Sequence, residues 1–226
     1  MGERREKLGV LKLIGENLRN SSNAYAQPSG VVTMDLEKFV QMREEFKKEG
    51  KRISSTACYV KAVALGLEKY PELNAGLDGD EIVYYDDINV GVGVDTAKGL
   101  MVIVVREVQN KSLEQIAEEL NDLVDRARIG KLTMDDITGN TITISNLDKS
   151  RIEFFESVIN NDEAVIMGFR RIQKMPVVDE NDQIVVHHVG RLIDTTNHTL
   201  TSGVKISQFD EYVATILENP KEYLLK

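Results

Sequence analysis

INVGVGVDTAKGLMVIVVRE, residues 88–107, can be read in two ways, and the choice decides the fold. A Gly-x-Gly at a strand-to-helix turn would open a dinucleotide-binding unit. Here the place of the third glycine is held by Thr96, and apolar residues recur with period two on both sides of Ala97-Lys98-Gly99. That period makes strands, and a short link containing glycine makes a hairpin. The stretch therefore reads as two antiparallel strands, and a doubly wound nucleotide fold is disfavoured.

The elements on either side extend this reading. Toward the C-terminus, Ser112 and Gln115 form a capping box for a helix with the stripe Leu113, Ile116, Leu120, Leu123, Val124 and Ala127, closed by Gly130. NTITISNL (140–147) is a strand. EAVIMGFRRIQKMPVV (163–178) and QIVVHHVGRLIDTTNH (183–198) read as the arms of one long hairpin around Glu180-Asn181-Asp182. VKISQFDEYVATILENPKEYLL (204–225) reads as one final helix with Ile206, Phe209, Tyr212, Val213 and Ile216 facing inward. Toward the N-terminus, GDEIVYYDD (79–87) is a strand. Ser54 to Thr56 opens a helix carrying Ala57, Val60, Val63, Ala64 and Leu67, which ends before Pro71. Asp35 caps another with Leu36, Phe39, Val40 and Phe46, stopped by Gly50. Gly30 to Met34 is a short β-branched run. Residues 6–20 show helix spacing at Leu8, Leu11, Ile14 and Leu18, and Ser21 to Asn23 and Pro28 mark a loop. No composition break, linker or repeat interrupts the chain. The expected class is α/β: a mixed or largely antiparallel sheet with helices on one side.

Composition narrows the function. Among 226 residues, 42 % are hydrophobic and 29 % charged, which suits a packed core. The net charge of −9 argues against general nucleic-acid binding, which needs a basic surface. No apolar run reaches the roughly 20 residues of a membrane span, and the start has no signal-peptide pattern. A lone cysteine, Cys58, excludes an internal disulfide framework and fits a reducing cytoplasm; it lies on an apolar helix face and reads as core. No metal-ligand spacing is present. His187 and His188 are adjacent in a strand and point to opposite faces. Arg126, Arg128 and Lys131 form a local basic group, read either as charge complementing a helix terminus or as a contact for phosphates.

Five blocks in order resemble a known family: PSGVVTMDLEKFVQMREE, KRISSTACYVKAVALGLEKYPELNAGL, INVGVGVDTAKGLMVIVVREV, RARIGKLTMDDITGNTITISNL and EAVIMGFRRIQKMPVV. They are similar to the catalytic domain of the acyltransferase component of 2-oxoacid dehydrogenase complexes, the dihydrolipoamide acyltransferases, whose fold is chloramphenicol acetyltransferase-like. The resemblance implies a two-layer α/β sandwich that assembles as homotrimers, with active sites between chains. It also implies coenzyme A or acyl-coenzyme A as a substrate, and a dihydrolipoyl group or another small acceptor at the other end of a channel. The family's signature Asp-His-Arg-x-x-Asp-Gly falls on Asn197, His198, Thr199, Leu200, Thr201, Ser202 and Gly203. Only the histidine and glycine match. The resemblance makes His198 the general base and Ser145, in TITISNL, the oxyanion donor. Ser202 stands where the family has its aspartate. Asp148 stands where glycine is common.

Residues 1–226 are expected to form a single catalytic-type domain, with 1–28 as an N-terminal helix and arm. Lipoyl and peripheral-subunit-binding domains, which full-length members carry, are not expected on this chain, so a lipoyl-bearing protein or 2-oxoacid dehydrogenase subunits would be its partners. The apolar end NPKEYLLK is the kind that joins trimers into cubic cores, with Lys226 set against that contact, and a free trimer is the expectation. The rival expectation is a non-catalytic trimeric scaffold on the same fold.

Overall fold

The computed structural model describes residues 10–96, 99–160 and 162–226; Leu8, Ala97 and Lys98 of the expected elements lie outside them. The chain begins with α1 (Val10–Ala24), β1 (Ser29–Asp35), α2 (Glu37–Lys48) and α3 (Ser55–Lys69). The strands β2 (Ala75–Asp78), β3 (Glu81–Tyr84), β4 (Val90–Thr96) and β5 (Gly99–Val105) follow, then α4 (Leu113–Arg128) and β6 (Ile142–Asn146). β7 (Val165–Phe169), β8 (Gln173–Val178), β9 (Ile184–Thr196), α5 (Gly203–Glu218) and α6 (Pro220–Tyr223) complete it.

The deciding stretch is a hairpin. β4 and β5 pair antiparallel from Val90↔Val105 to Thr96↔Gly99. Gly91 serves strand packing: a Cβ there would come within 2.8 Å of Val102 Cγ1 and 3.1 Å of Asn140 Cβ. The main sheet has the order β1-β9-β7-β6-β4-β5, with β8 also on β9. β4–β6 and β6–β7 are parallel and the remaining pairs antiparallel, so the sheet is mixed. The helices α3, α4 and α5 pack side by side over one face. Capping explains two of the starts: the Ser54 hydroxyl accepts from Ala57 N at 3.1 Å, and Ser112 and Gln115 form the expected reciprocal box.

Four expectations change. Ser21 to Asn23, read as part of a loop, lie within the last turn of α1. The arm 163–178 is two strands, because the register breaks at Arg170–Ile172; both β7 and β8 pair with the single 13-residue β9. The final helix is likewise two, since Pro220 cannot continue α5 and instead starts α6. The strand read at 79–87 is one arm of a separate two-stranded sheet, β2–β3. In addition, α1 leaves Ile14 exposed and is tied down by polar contacts: Asn17 Nδ2 donates to Asn160 Oδ1 at 2.8 Å and Ser21 Oγ to the Ile159 carbonyl at 2.7 Å.

Tyr59 of α3 joins helix layer to sheet. Its ring stacks on Phe169 of β7 at 4.0 Å and on Phe39 of α2 at 5.8 Å, and all three are buried. Replacing so large a buried ring by alanine removes its transfer energy and leaves a cavity. Tyr59→Ala should therefore cost about 3–5 kcal/mol, read as a fall in the urea midpoint at unchanged slope.

Candidate active site

The turn after β9 is built by Asn197. Its N–H donates to the Ala164 carbonyl at 2.9 Å, extending the ladder, while its Oδ1 accepts from Thr199 N at 3.0 Å. Leu200 N donates back to the Asn197 carbonyl at 3.0 Å. This is an Asx turn, which a neutral amide supports as well as a carboxylate does. Asn197 is fully buried; His198, one residue on, is exposed. The His198 N–H donates to the Ala26 carbonyl at 3.0 Å, which fixes the backbone. Its ring makes no hydrogen bond to the described residues.

His198 lines a cleft of about 230 Å³ walled by residues 28–30, the end of β9 and the first two turns of α5. Ser202 precedes α5 as its N-cap: its carbonyl accepts from Ile206 N at 3.0 Å, while its exposed hydroxyl makes no capping bond. The cleft floor holds two acids that sequence reading missed. Asp194 Oδ1 accepts from Gly30 N at 2.7 Å and its Oδ2 from Thr196 Oγ1 at 2.8 Å. Asp210 of α5 faces it, and both are buried. Gly30 permits the approach, because a Cβ there would collide with the Asp194 carboxylate. Burial, then the facing Asp194 charge, push the Asp210 carboxyl up to about 9. The pair thus holds one proton, on Asp210. The signal was available: Asp210 falls between the inward positions Ile206, Phe209 and Val213 of its helix, and Asp194 interrupts an apolar strand.

Ser145 lies elsewhere. It is half-buried on β6, opposite Gly168 of β7, which is opposite Ile193 of β9. His198 is two strands across and five residues along, roughly 20 Å from Ser145 at 3.3 Å per residue and 4.8 Å per strand. One chain therefore does not bring the two together. Asp148, beyond Ser145, accepts from the Ser55 hydroxyl at 3.4 Å. This turns its charge toward the N-terminus of α3, where a carboxylate is favoured.

The remaining candidates are structural. Burial pushes the Cys58 thiol up to about 12, as expected for a core residue. His187 Nδ1 meets Asp35 at 2.5 Å and His188 Nδ1 meets Glu37 at 2.7 Å, each at the start of α2. Arg126 is held by Asp136 through both terminal nitrogens and by Asp122 at 2.8 Å. Arg128 is near Asp125 at 3.4 Å. The basic group is thus largely neutralised by the chain's own acids, against its reading as a phosphate contact. Among the described residues no group of three or more His, Cys, Asp or Glu could hold a metal ion, and no helix is long and apolar enough to cross a membrane.

Residues 2–225 match the model of the 2-oxoacid dehydrogenases acyltransferase (catalytic domain) family. Over 229 residues the chain is 33 % identical to the mitochondrial dihydrolipoyllysine-residue succinyltransferase component of the 2-oxoglutarate dehydrogenase complex of Saccharomyces cerevisiae, covering 99 % of this chain and 49 % of that protein. The crystal structure of a probable dihydrolipoamide acetyltransferase from Listeria monocytogenes superposes with a TM-score of 0.90 at 27 % identity, covering 96 % of this chain and 95 % of that one. Chloramphenicol acetyltransferase superposes at 0.55 with 18 % identity over 89 % of this chain and 94 % of that one, a likeness of fold alone. The chain spans about half the length of the curated relatives it matches.

The acid pair has a consequence for stability. Folded, Asp210 keeps its proton up to about pH 9; unfolded, it loses it near its ordinary value of 3.8. Between those values the unfolded state binds fewer protons, so stability falls as pH rises. Asp210→Asn removes the titration and still donates to Asp194. Its stability relative to the unsubstituted protein should rise from pH 5 to pH 9 by up to about 1.4 kcal/mol per pH unit. Urea unfolding across that range measures it, and a difference independent of pH would mean that the pair holds no extra proton.

Proposed function

The chain belongs to the family of 2-oxoacid dehydrogenase acyltransferase catalytic domains, and from that premise we propose that it is a coenzyme A-dependent acyltransferase acting on a dihydrolipoyl or other small acceptor. The observation that carries the reading is the His198 imidazole, presented to a cleft with no hydrogen bond to the described residues. We read residues 1–226 as one catalytic-type domain with coenzyme A as a substrate, and with a lipoyl-bearing protein or 2-oxoacid dehydrogenase subunits as its partners.

The chemistry needs a base for the acceptor thiol, because the thiolate is the nucleophile. His198 takes that proton. The sulfur attacks the thioester carbonyl carbon, and the carbonyl oxygen becomes an oxyanion that a hydroxyl can stabilise. The Ser145 hydroxyl is that donor. The tetrahedral intermediate collapses, the bond to the coenzyme A sulfur breaks, and His198 returns the proton to the departing thiolate. No covalent acyl-enzyme forms. The Ser202 hydroxyl, exposed at the N-cap of α5 and next in sequence to the cleft residue Gly203, serves as a polar contact in place of a carboxylate.

The separation of roughly 20 Å between His198 and Ser145, from strand spacing and rise, fits this chemistry when the two belong to different chains. The active site is then composite, in a homotrimer, with His198 of one protomer opposite the partner subunit's Ser145. Apolar side chains left in water support association: Val178, Ile184 and Val186, at the far end of the β8–β9 hairpin, are 67 %, 78 % and 64 % exposed.

Three measurements test this. Acyl-coenzyme A at 100 times its dissociation constant should add about 2.7 kcal/mol of stability in a thermal shift. His198→Ala should lower kcat about 10²–10⁴-fold and Ser145→Ala about 10²–10³-fold, without loss of fold. Unfolding the two inactive variants together and refolding the mixture should restore part of the activity, since some interfaces then unite an intact His198 with an intact Ser145. Full activity in His198→Ala would remove that residue's role as base, whereas an unsubstituted protein that neither binds acyl-coenzyme A nor transfers an acyl group would belong to the scaffold class.

A further inference from the structure

Arg170 sits where β7 ends, with only 3 % of its surface exposed. Its Nε and Nη2 both donate to one acceptor, the Ile152 carbonyl, at 3.0 Å for Nε. Nη1 is buried without a partner among the described residues. The acid that bears on it is Glu153, whose carboxylate is already engaged by Arg191 and by Gln173 Nε2. A buried guanidinium with one carbonyl for company lacks its counter-ion, an arrangement that folding disfavours unless an anion arrives from elsewhere.

The position of the recess says which anion. Ser145 and Gly168 are cross-strand partners, and Arg170 follows Gly168 by two residues with its N–H still donating to the Arg191 carbonyl of β9 at 3.0 Å, so all three project from the same face of the sheet. The Phe155 ring links them: a Cβ on Gly168 would touch its Cζ at 3.0 Å, and the Arg170 guanidinium lies 4.8 Å from its centroid. The Ser145 and Arg170 Cα atoms are about 8 Å apart from strand spacing and rise. Arg151, Arg171 and Arg191 line a recess with Arg170 against one acid, Glu153, a local excess of positive charge in a chain of net charge −9. The enclosed space is about 10 Å³, room for one oxygen atom. The phosphates of coenzyme A lie a whole pantetheine arm from the thioester, too far for a group beside Ser145. The far end of a short acyl chain does not.

We propose that Arg170 receives the terminal carboxylate of a dicarboxylic acyl group, so that the preferred donor carries an anionic acyl chain. This rests on the acyl-transfer reading above. It assigns Arg170 to specificity, through the buried Nη1 group and the Phe155 platform beside Ser145.

The test uses the full chain and Arg170→Met, which keeps the side-chain length and removes the charge; Arg170→Gln, neutral but still a hydrogen-bond donor, serves if the methionine variant does not fold. Sodium succinate, against sodium chloride of equal ionic strength, should raise the melting temperature of the unsubstituted protein saturably and leave the variant unmoved. With dihydrolipoamide as acceptor, kcat/KM for succinyl-coenzyme A should fall at least tenfold in the variant, and that for acetyl-coenzyme A less than threefold. No succinate response, an equal response in both proteins, or an equal loss with both donors overturns the proposal. So does a variant that dissociates in sedimentation while the unsubstituted protein ignores succinate, because a neighbouring chain then supplies the counter-ion. A protein that responds to succinate through Arg170 but transfers neither acyl group sinks the acyl-transfer reading and leaves the anion site standing.

Discussion

One strand fixes the coordinates of the molecule. β9 must satisfy backbone donors and acceptors along both edges, with β1 on one side over Val189–Thr195 and β7 on the other over Leu192–Thr196, while its first half runs on to pair with β8. A slip of one residue would exchange its two faces. Asp194 would leave the helix layer, and Ile193 would enter it. The position of His198 follows from the same register, because Asn197 N still bonds to the chain just before β7. The cleft is thus set by ladder hydrogen bonds as much as by its own side chains.

Much of this was legible from local chemistry. The β4–β5 hairpin followed from period two and a misplaced third glycine, and the α4 capping box from Ser112 and Gln115. Where the reading failed, the deciding contact was distant in sequence. Nothing in EAVIMGFRRIQKMPVV marks the break at Arg170–Ile172 except two arginines in an apolar run, and the break has meaning only because β9 is long enough to serve both halves. β2 was missed because four residues carry too little pattern to register. Among site residues, His198 and Ser145 came from resemblance; spacing alone could not separate a lone histidine from a turn residue. Asp194 and Asp210 are 16 positions apart on different elements, and their meeting is a property of the sheet–helix packing.

Charge is sorted along the sheet. The end bearing His198 buries two carboxyls under α5, whereas the end bearing Ser145 collects Arg151, Arg170, Arg171 and Arg191 around one recess. Neither group is visible in the net charge, and each is reached by side chains from several elements. Such sorting gives the two ends different preferences for ligands and for each other, a basis for orienting both substrates and chains.

The Asp194–Asp210 pair carries a thermodynamic mark of its own. At neutral pH the native state holds close to one proton that the unfolded chain surrenders to solvent, so unfolding is also an acid-releasing reaction. The heat absorbed on melting then includes the heat with which the buffer captures that proton. Two calorimetric scans at the same pH, in buffers of small and large ionisation enthalpy, report different apparent enthalpies for an identical structural change, and the difference counts the buried proton directly.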